Sequence, residues 1–116
     1  MQLTGEQLAA ISREIVRIKA EHYGKGPTEA KSYQFDNFLV SVLKGGLTRL
    51  EETLLAAGEE DLVRQVRLSF QHQVGPEFTG AVERISGRKV LAYESQIVTH
   101  PTYVFELFVL DSQSNG

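Results

Sequence analysis

Apolar residues recur at three- and four-residue intervals near the start of the chain, as Leu8, Ile11, Ile15 and Ile18. That spacing predicts an amphipathic helix with a single apolar stripe. Arg13, Glu14, Arg17 and Lys19 fall mostly off the stripe and are expected on its wet side. Thr4, with Gln7 three residues on, fits a capping box, and Gly24 stands where a glycine ends a helix. From Lys31 to Leu43 the pattern changes to a hairpin around Asp36-Asn37. Placing Phe35 opposite Phe38 sets Tyr33 across from Val40 and Lys31 across from Val42. Tyr33, Phe35, Phe38, Val40 and Val42 are then expected to face the core.

A second capping box, Thr48 with Glu51, opens a short helix that Gly58 closes. Leu62, Val66, Phe70, Val74, Phe78, Ala81 and Ile85 keep a helical period through Gly75-Pro76. They predict one long helix, kinked where Pro76 cannot bond the His72 carbonyl. Arg64 and Arg67 lie off this stripe and are expected in solvent. A last hairpin turns at Thr99-His100-Pro101, with Val98 set against Thr102. Leu91, Tyr93, Ser95 and Ile97, facing Val109, Leu107, Phe105 and Tyr103, form its expected core face. Val90, Ala92, Val104, Phe108 and Leu110 fall on its outer face, with Glu94, Gln96 and Glu106. Residues 110–116 are expected as a frayed polar tail. The order α-β-β-α-α-β-β predicts one α+β domain over residues 1–116, its antiparallel sheet built from two hairpins packed with helices.

Composition narrows the function classes. The net charge of -3 lacks the basic footprint of a nucleic-acid binder. With no cysteine there is neither disulfide nor thiolate metal site, which suits a cytoplasmic protein. The longest apolar run, from Tyr103 to Leu110, contains Glu106 and is far short of the ~20 residues of a membrane span. No signal peptide and no direct membrane insertion are expected.

Few patterns carry chemistry. The stretch from Tyr23 to Thr28, with Lys25 and Gly26, has the glycines and lysine of a phosphate loop. It lies between a helix and a strand, the reverse of a P-loop, and reads first as a helix cap and turn. Lys44, Gly45, Gly46 and Thr48 precede a helix N-terminus and are the better anion-binding candidates, although a turn with a threonine cap explains them too. The last hairpin's register sets Glu94 against Glu106, and paired carboxylates can do acid/base work. No nucleophile or metal motif accompanies them. His22, His72 and His100 lack metal-ligand spacing, so neither metal nor cofactor is expected. The apolar outer face of the last hairpin predicts a covering partner, most simply a second copy in a C2 dimer.

Three stretches carry a resemblance: "GKGP" at 24–27, "LTRLEETLL" at 47–55 and "GRKV" at 87–90. With the residues around them, from about Leu8 to Leu110, the chain resembles the MpsC-like family, long known only as a bacterial domain of unknown function. The family is labelled a component of a Na+-translocating, membrane-potential-generating system. This chain departs from its pattern at Asp36-Asn37, where two acidic residues are usual, and at Gly75-Pro76. The resemblance carries over no catalytic or binding residue. Together with the apolar outer face and the lack of a catalytic constellation, it implies a non-enzymatic accessory or regulatory module, homodimeric, associated with a membrane ion or inorganic-carbon transport system and with a protein of that system as partner. The alternative is a sensory domain binding a small ligand or anion at the glycine-rich loops.

Overall fold

The structure, a computed structural model, describes residues 2–112. Helix α1 (Gly5–Tyr23) is followed by strands β1 (Glu29–Phe35) and β2 (Phe38–Lys44). Helices α2 (Arg49–Ala56) and α3 (Glu60–Ser86) come next, then strands β3 (Val90–Val98) and β4 (Tyr103–Leu110). The strands form one antiparallel sheet in the order β1-β2-β4-β3, so the α+β reading holds. Of the tail expected at 110–116, Leu110 belongs to β4 and is fully buried; residues 113–116 lie outside those described.

Both capping boxes form. Thr4 accepts from the Gln7 amide while Gln7 Oε1 accepts from the Thr4 amide, and Thr48 and Glu51 repeat the exchange. Gly24, at φ 75°, caps α1. Helix α3 runs unbroken through Pro76. Its neighbour Gly75 has a steric role: a Cβ there would stand 3.2 Å from the Tyr93 ring, so glycine lets that ring lie against the helix.

The core lies between the helices and one face of the sheet. Ile11, Ile15 and Ile18 of α1 and Val63, Val74 and Phe78 of α3 meet Leu39, Leu43, Val104 and Phe108. In α1 this is the expected stripe. In the first half of α3 it is displaced by one residue, because Val63 and Arg67 point inward while Leu62 is exposed.

The first hairpin and strand β4 of the second correct the expected core faces, whereas in β3 Tyr93 and Ile97 pack on the core as expected and Leu91 is exposed. In the first, the register is as read, with Phe35 paired to Phe38, Tyr33 to Val40 and Lys31 to Val42. The faces are exchanged: Ser32, Leu39, Ser41 and Leu43 are buried, while Phe35 is 78% exposed and Tyr33 and Phe38 are also exposed. In the second, Val98 pairs with Tyr103 rather than Thr102, so the turn holds four residues instead of three. A one-residue slip turns a whole strand over. Thus Val104, Glu106, Phe108 and Leu110 face the helices, and Tyr103, Phe105, Leu107 and Val109 face outward.

Candidate functional site

The slip creates the protein's most unusual feature. Across the inner face, Ser32 pairs with Ser41, Ser41 with Glu106, and Glu106 with Ser95. One rung of the sheet is therefore polar on all four strands, beneath the helices. Ser12 of α1 closes over its β1 end, with Ser12 Oγ and Ser32 Oγ 2.7 Å apart and Ser32 Oγ and Ser41 Oγ also 2.7 Å apart. Clefts open beside both ends, one including Ser12 and Ser32, the other Ser95.

Glu106 is the centre of this row and is 0% exposed. Tyr93 donates its hydroxyl to Oε1 at 2.6 Å, and Ser95 donates to Oε2 at 3.1 Å. The Lys19 ammonium lies 3.0 Å from Oε2 and is itself buried. It also sits 5.0 Å from the centroid of Tyr23 and 5.5 Å from that of Phe78. Burial lowers the Lys19 pKa, the attraction of Glu106 opposes this, and Arg67 adds to it. Arg67 faces Glu51, with Nη2 donating to Oε1 at 3.0 Å, and stacks 5.3 Å over Tyr23. Its Nε comes within 2.9 Å of Glu51 Oε2 but off the hydrogen-bond line, so the pair is held by charge and by Nη2. Two ion pairs and two tyrosines, Tyr23 and Tyr93, thus occupy the layer between sheet and helices. Buried charges persist only when paired and hydrogen-bonded in this way.

The tyrosines give the layer an alkaline limit. Burial pushes the Tyr23 phenol up to about 12. Burial, then the Glu106 carboxylate, holds the Tyr93 phenol far above its ordinary range. A folded pKa above the unfolded value contributes stability that is complete below about pH 10 and is lost as pH rises further. Above pH ~10.5 lysines of the unfolded chain have also lost their protons, so the tyrosines dominate. Unfolding free energies from urea melts should then fall with pH, by about 1.4 kcal/mol per pH unit from Tyr93 alone and less from the partly buried Tyr23. Tyr93→Phe should flatten the slope; a slope unchanged by it would refute the assignment.

The expected site residues end up in different places. Glu94 is exposed on the outer face and pairs with Leu107, so it and Glu106 lie on opposite faces of the sheet and make no carboxylate pair. Of the residues expected at an outer interface, Val104, Phe108 and Leu110 are in the core and Val90 packs against it; only Ala92 is exposed outward. Lys19 and Arg67, expected in solvent, are buried.

The glycine-rich stretches meet each other. Thr28 donates from its amide and its hydroxyl to the Lys44 carbonyl. Gly46, at φ 81°, comes so near Pro27 that a Cβ would stand 3.0 Å from its backbone, and one at Gly45 would stand 2.7 Å from the Thr28 hydroxyl. Gly26 fits against Ala20 in the same way. The Thr48 and Glu51 amides, which a bound anion would need, are engaged in the capping box. Lys25 is exposed, and Lys44 lies 3.7 Å from Glu29 and 5.6 Å from the Tyr103 centroid.

The fold brings together one group that spacing could not reveal. Glu21, His22 and Glu77 offer three ligand atoms within 4.8 Å of one another. All three residues are exposed, and a 2.7 Å contact between His22 Nε2 and Glu77 Oε2 already joins α1 to α3.

The outer sheet face is the remaining large feature. Val40, Val42, Phe105, Leu107 and Val109 form its centre, and Tyr33, Phe35, Phe38, Leu91 and Val98 surround them. Among the described residues no helix packs on it, since α1 and α3 lie on the other side. Among the described residues no helix is long and apolar enough to cross a membrane. Compared with known proteins, residues 4–112 match a family model described as "Na+-translocating membrane potential-generating system (MpsC)". No curated protein and no solved structure matches.

Proposed function

The chain belongs to the MpsC family, and from that premise we propose that it is a non-enzymatic accessory module whose outer sheet face pairs with a second copy of itself. The family's link to a Na+-translocating membrane system supports an accessory role. One observation carries the pairing: a four-stranded sheet with helices on one side and aromatic and aliphatic side chains on the other. A soluble sheet face left to water is ordinarily polar, and large apolar patches mark interaction sites.

Charge and area favour a second copy as the covering. Lys31 projects from β1 at one edge of the face, and Glu94 from β3 at the other. A twofold axis running along the strands between β2 and β4 sets each β1 over the other copy's β3, so Lys31 and the partner's Glu94, two residues apart along the strands, share each rim. Four strands at about 4.8 Å spacing and seven residues at about 3.3 Å rise span roughly 440 Å² in plan. Side-chain relief raises the accessible area toward the small end of stable interfaces, about 600 Å² per partner.

Light scattering on the purified protein should give twice 12.9 kDa. Leu107→Glu puts one charge per copy at the centre of the face and should give monomers with unchanged circular dichroism. A wild-type chain that stays monomeric at every concentration, or a Leu107→Glu chain that stays dimeric, would remove the proposal. Retention of a membrane protein by the wild-type chain on a column, and its loss with the variant, would extend the same face to a partner.

A further inference from the structure

The geometry points to Phe35 as a knob that seats in a hollow over Ala92 of a second copy of the chain. This contact rests on the self-pairing proposed above and fixes its register.

Four outward side chains cross the sheet in one row. Phe35 pairs with Phe38, Phe38 with Val109, and Val109 with Ala92. Size falls along the row from two phenylalanines through valine to alanine. Phe35, at the β1 edge, is 78% exposed, and Ala92, at the β3 edge, is exposed as well. Near Ala92 the outer face dips into a hollow of about 320 Å³, lined by Phe38, Leu107 and Val109 with Glu94 beside them. One sheet thus carries a projecting ring and an apolar hollow in the same row. They stand three strand spacings apart, roughly 14 Å, so within one chain they do not meet.

A twofold rotation brings them together. About an axis along the strands between β2 and β4, every residue keeps its row and crosses to the other half of the sheet. Phe35 then lies on the partner's Ala92, and Phe38 on the partner's Val109. In the next two rows Val40 meets the partner's Leu107, and Val42 meets the partner's Phe105. Each of these contacts sets a larger side chain against a smaller one, which is how facing sheets about 10 Å apart fill the space between them. The rotation also preserves the sheet twist, so the two faces follow each other. An axis across the strands fits worse. Through the Leu107 row it sets Phe35 on Lys31 and Glu94 on its own symmetry mate, a like-charge contact. Midway to the Phe105 row it sets Phe35 on Glu29 and Phe38 on Lys44.

The test combines two single variants. Phe35→Ala removes the knob, and Ala92→Phe fills the hollow. Both positions are exposed, so circular dichroism should stay native in each. Each variant alone should weaken the dimer about a hundredfold, because two aromatic contacts per dimer are lost or blocked. Mixed one to one, they should form the heterodimer in large excess over either homodimer, as counted by native mass spectrometry. One half of that heterodimer keeps the original contact, and the other sets the introduced phenylalanine against the introduced alanine. The double variant Phe35→Ala/Ala92→Phe should recover self-association for the same reason. Wild-type affinity in both single variants, or a mixture no richer in heterodimer than chance, would overturn this contact and leave the paired face standing. A wild-type chain that is monomeric at every concentration would overturn the pairing and this contact with it.

Discussion

Glu106→Gln is expected to destabilise the protein by about 3–5 kcal/mol, because it leaves the Lys19 ammonium buried without its counter-charge. The amide keeps the shape of the side chain and an acceptor for the Tyr93 hydroxyl, so the loss reports charge rather than volume. It has a ceiling: Lys19, with a solution value of 10.5, can give up its proton at pH 7 for about 4.8 kcal/mol. Once it does so, the folded chain binds fewer protons than the unfolded one, and stability must rise with pH up to about 10.5. The gap between variant and wild type should therefore narrow between pH 7 and pH 9. Lys19→Met added to Glu106→Gln should recover most of the loss at pH 7. A domain with 5–15 kcal/mol in hand should survive the single change well enough for urea melts. A variant within 1 kcal/mol of wild type at pH 7 would show that the pair contributes little.

Phe108→Glu should unfold the chain, not merely dissociate it. Phe108 is 1% exposed and stacks on Tyr93 with centroids 5.1 Å apart. Truncating a buried phenylalanine costs about 3–5 kcal/mol, and the glutamate adds an unpaired buried charge. Phe108→Ala should fold with a midpoint lowered accordingly, while Phe108→Glu should lose its helical circular dichroism or precipitate. Leu107→Glu, one residue away and on the opposite face, should keep its helices. A soluble Phe108→Glu chain with native dichroism and midpoint would mean that β4 is turned the other way and would refute the register.

These two experiments address the point at which sequence reading and structure part. The helices and their ends were legible: both capping boxes, the glycine cap of α1 and the run of α3 through Pro76 are local matters of spacing and backbone donors. The first hairpin's register was legible too, because its two-residue turn leaves one pairing. The sequence points to an open apolar face, but Val104, Phe108 and Leu110, which the three-residue turn would place on it, lie in the core. In the second hairpin a turn of four residues instead of three carried Phe108 and Glu106 inside together. No local signal marks that difference, since both faces of β4 alternate plausibly.

By itself the sequence determined the element order, the caps, the α+β class and the family to which the chain belongs, because each rests on short-range periodicity or on motifs spread along the chain. Which face of the sheet meets the helices was decided only in three dimensions. Read locally, Tyr33, Phe35 and Phe38 are better core residues than Ser32 and Ser41. The fold buries the serines nevertheless, since Ser12 can bond Ser32 and Lys19 can pair with Glu106 only from that side. A buried polar group is tolerable when its partner is in place. Here Lys19 and Glu106 are 87 positions apart, so only the assembled tertiary structure could bring them together.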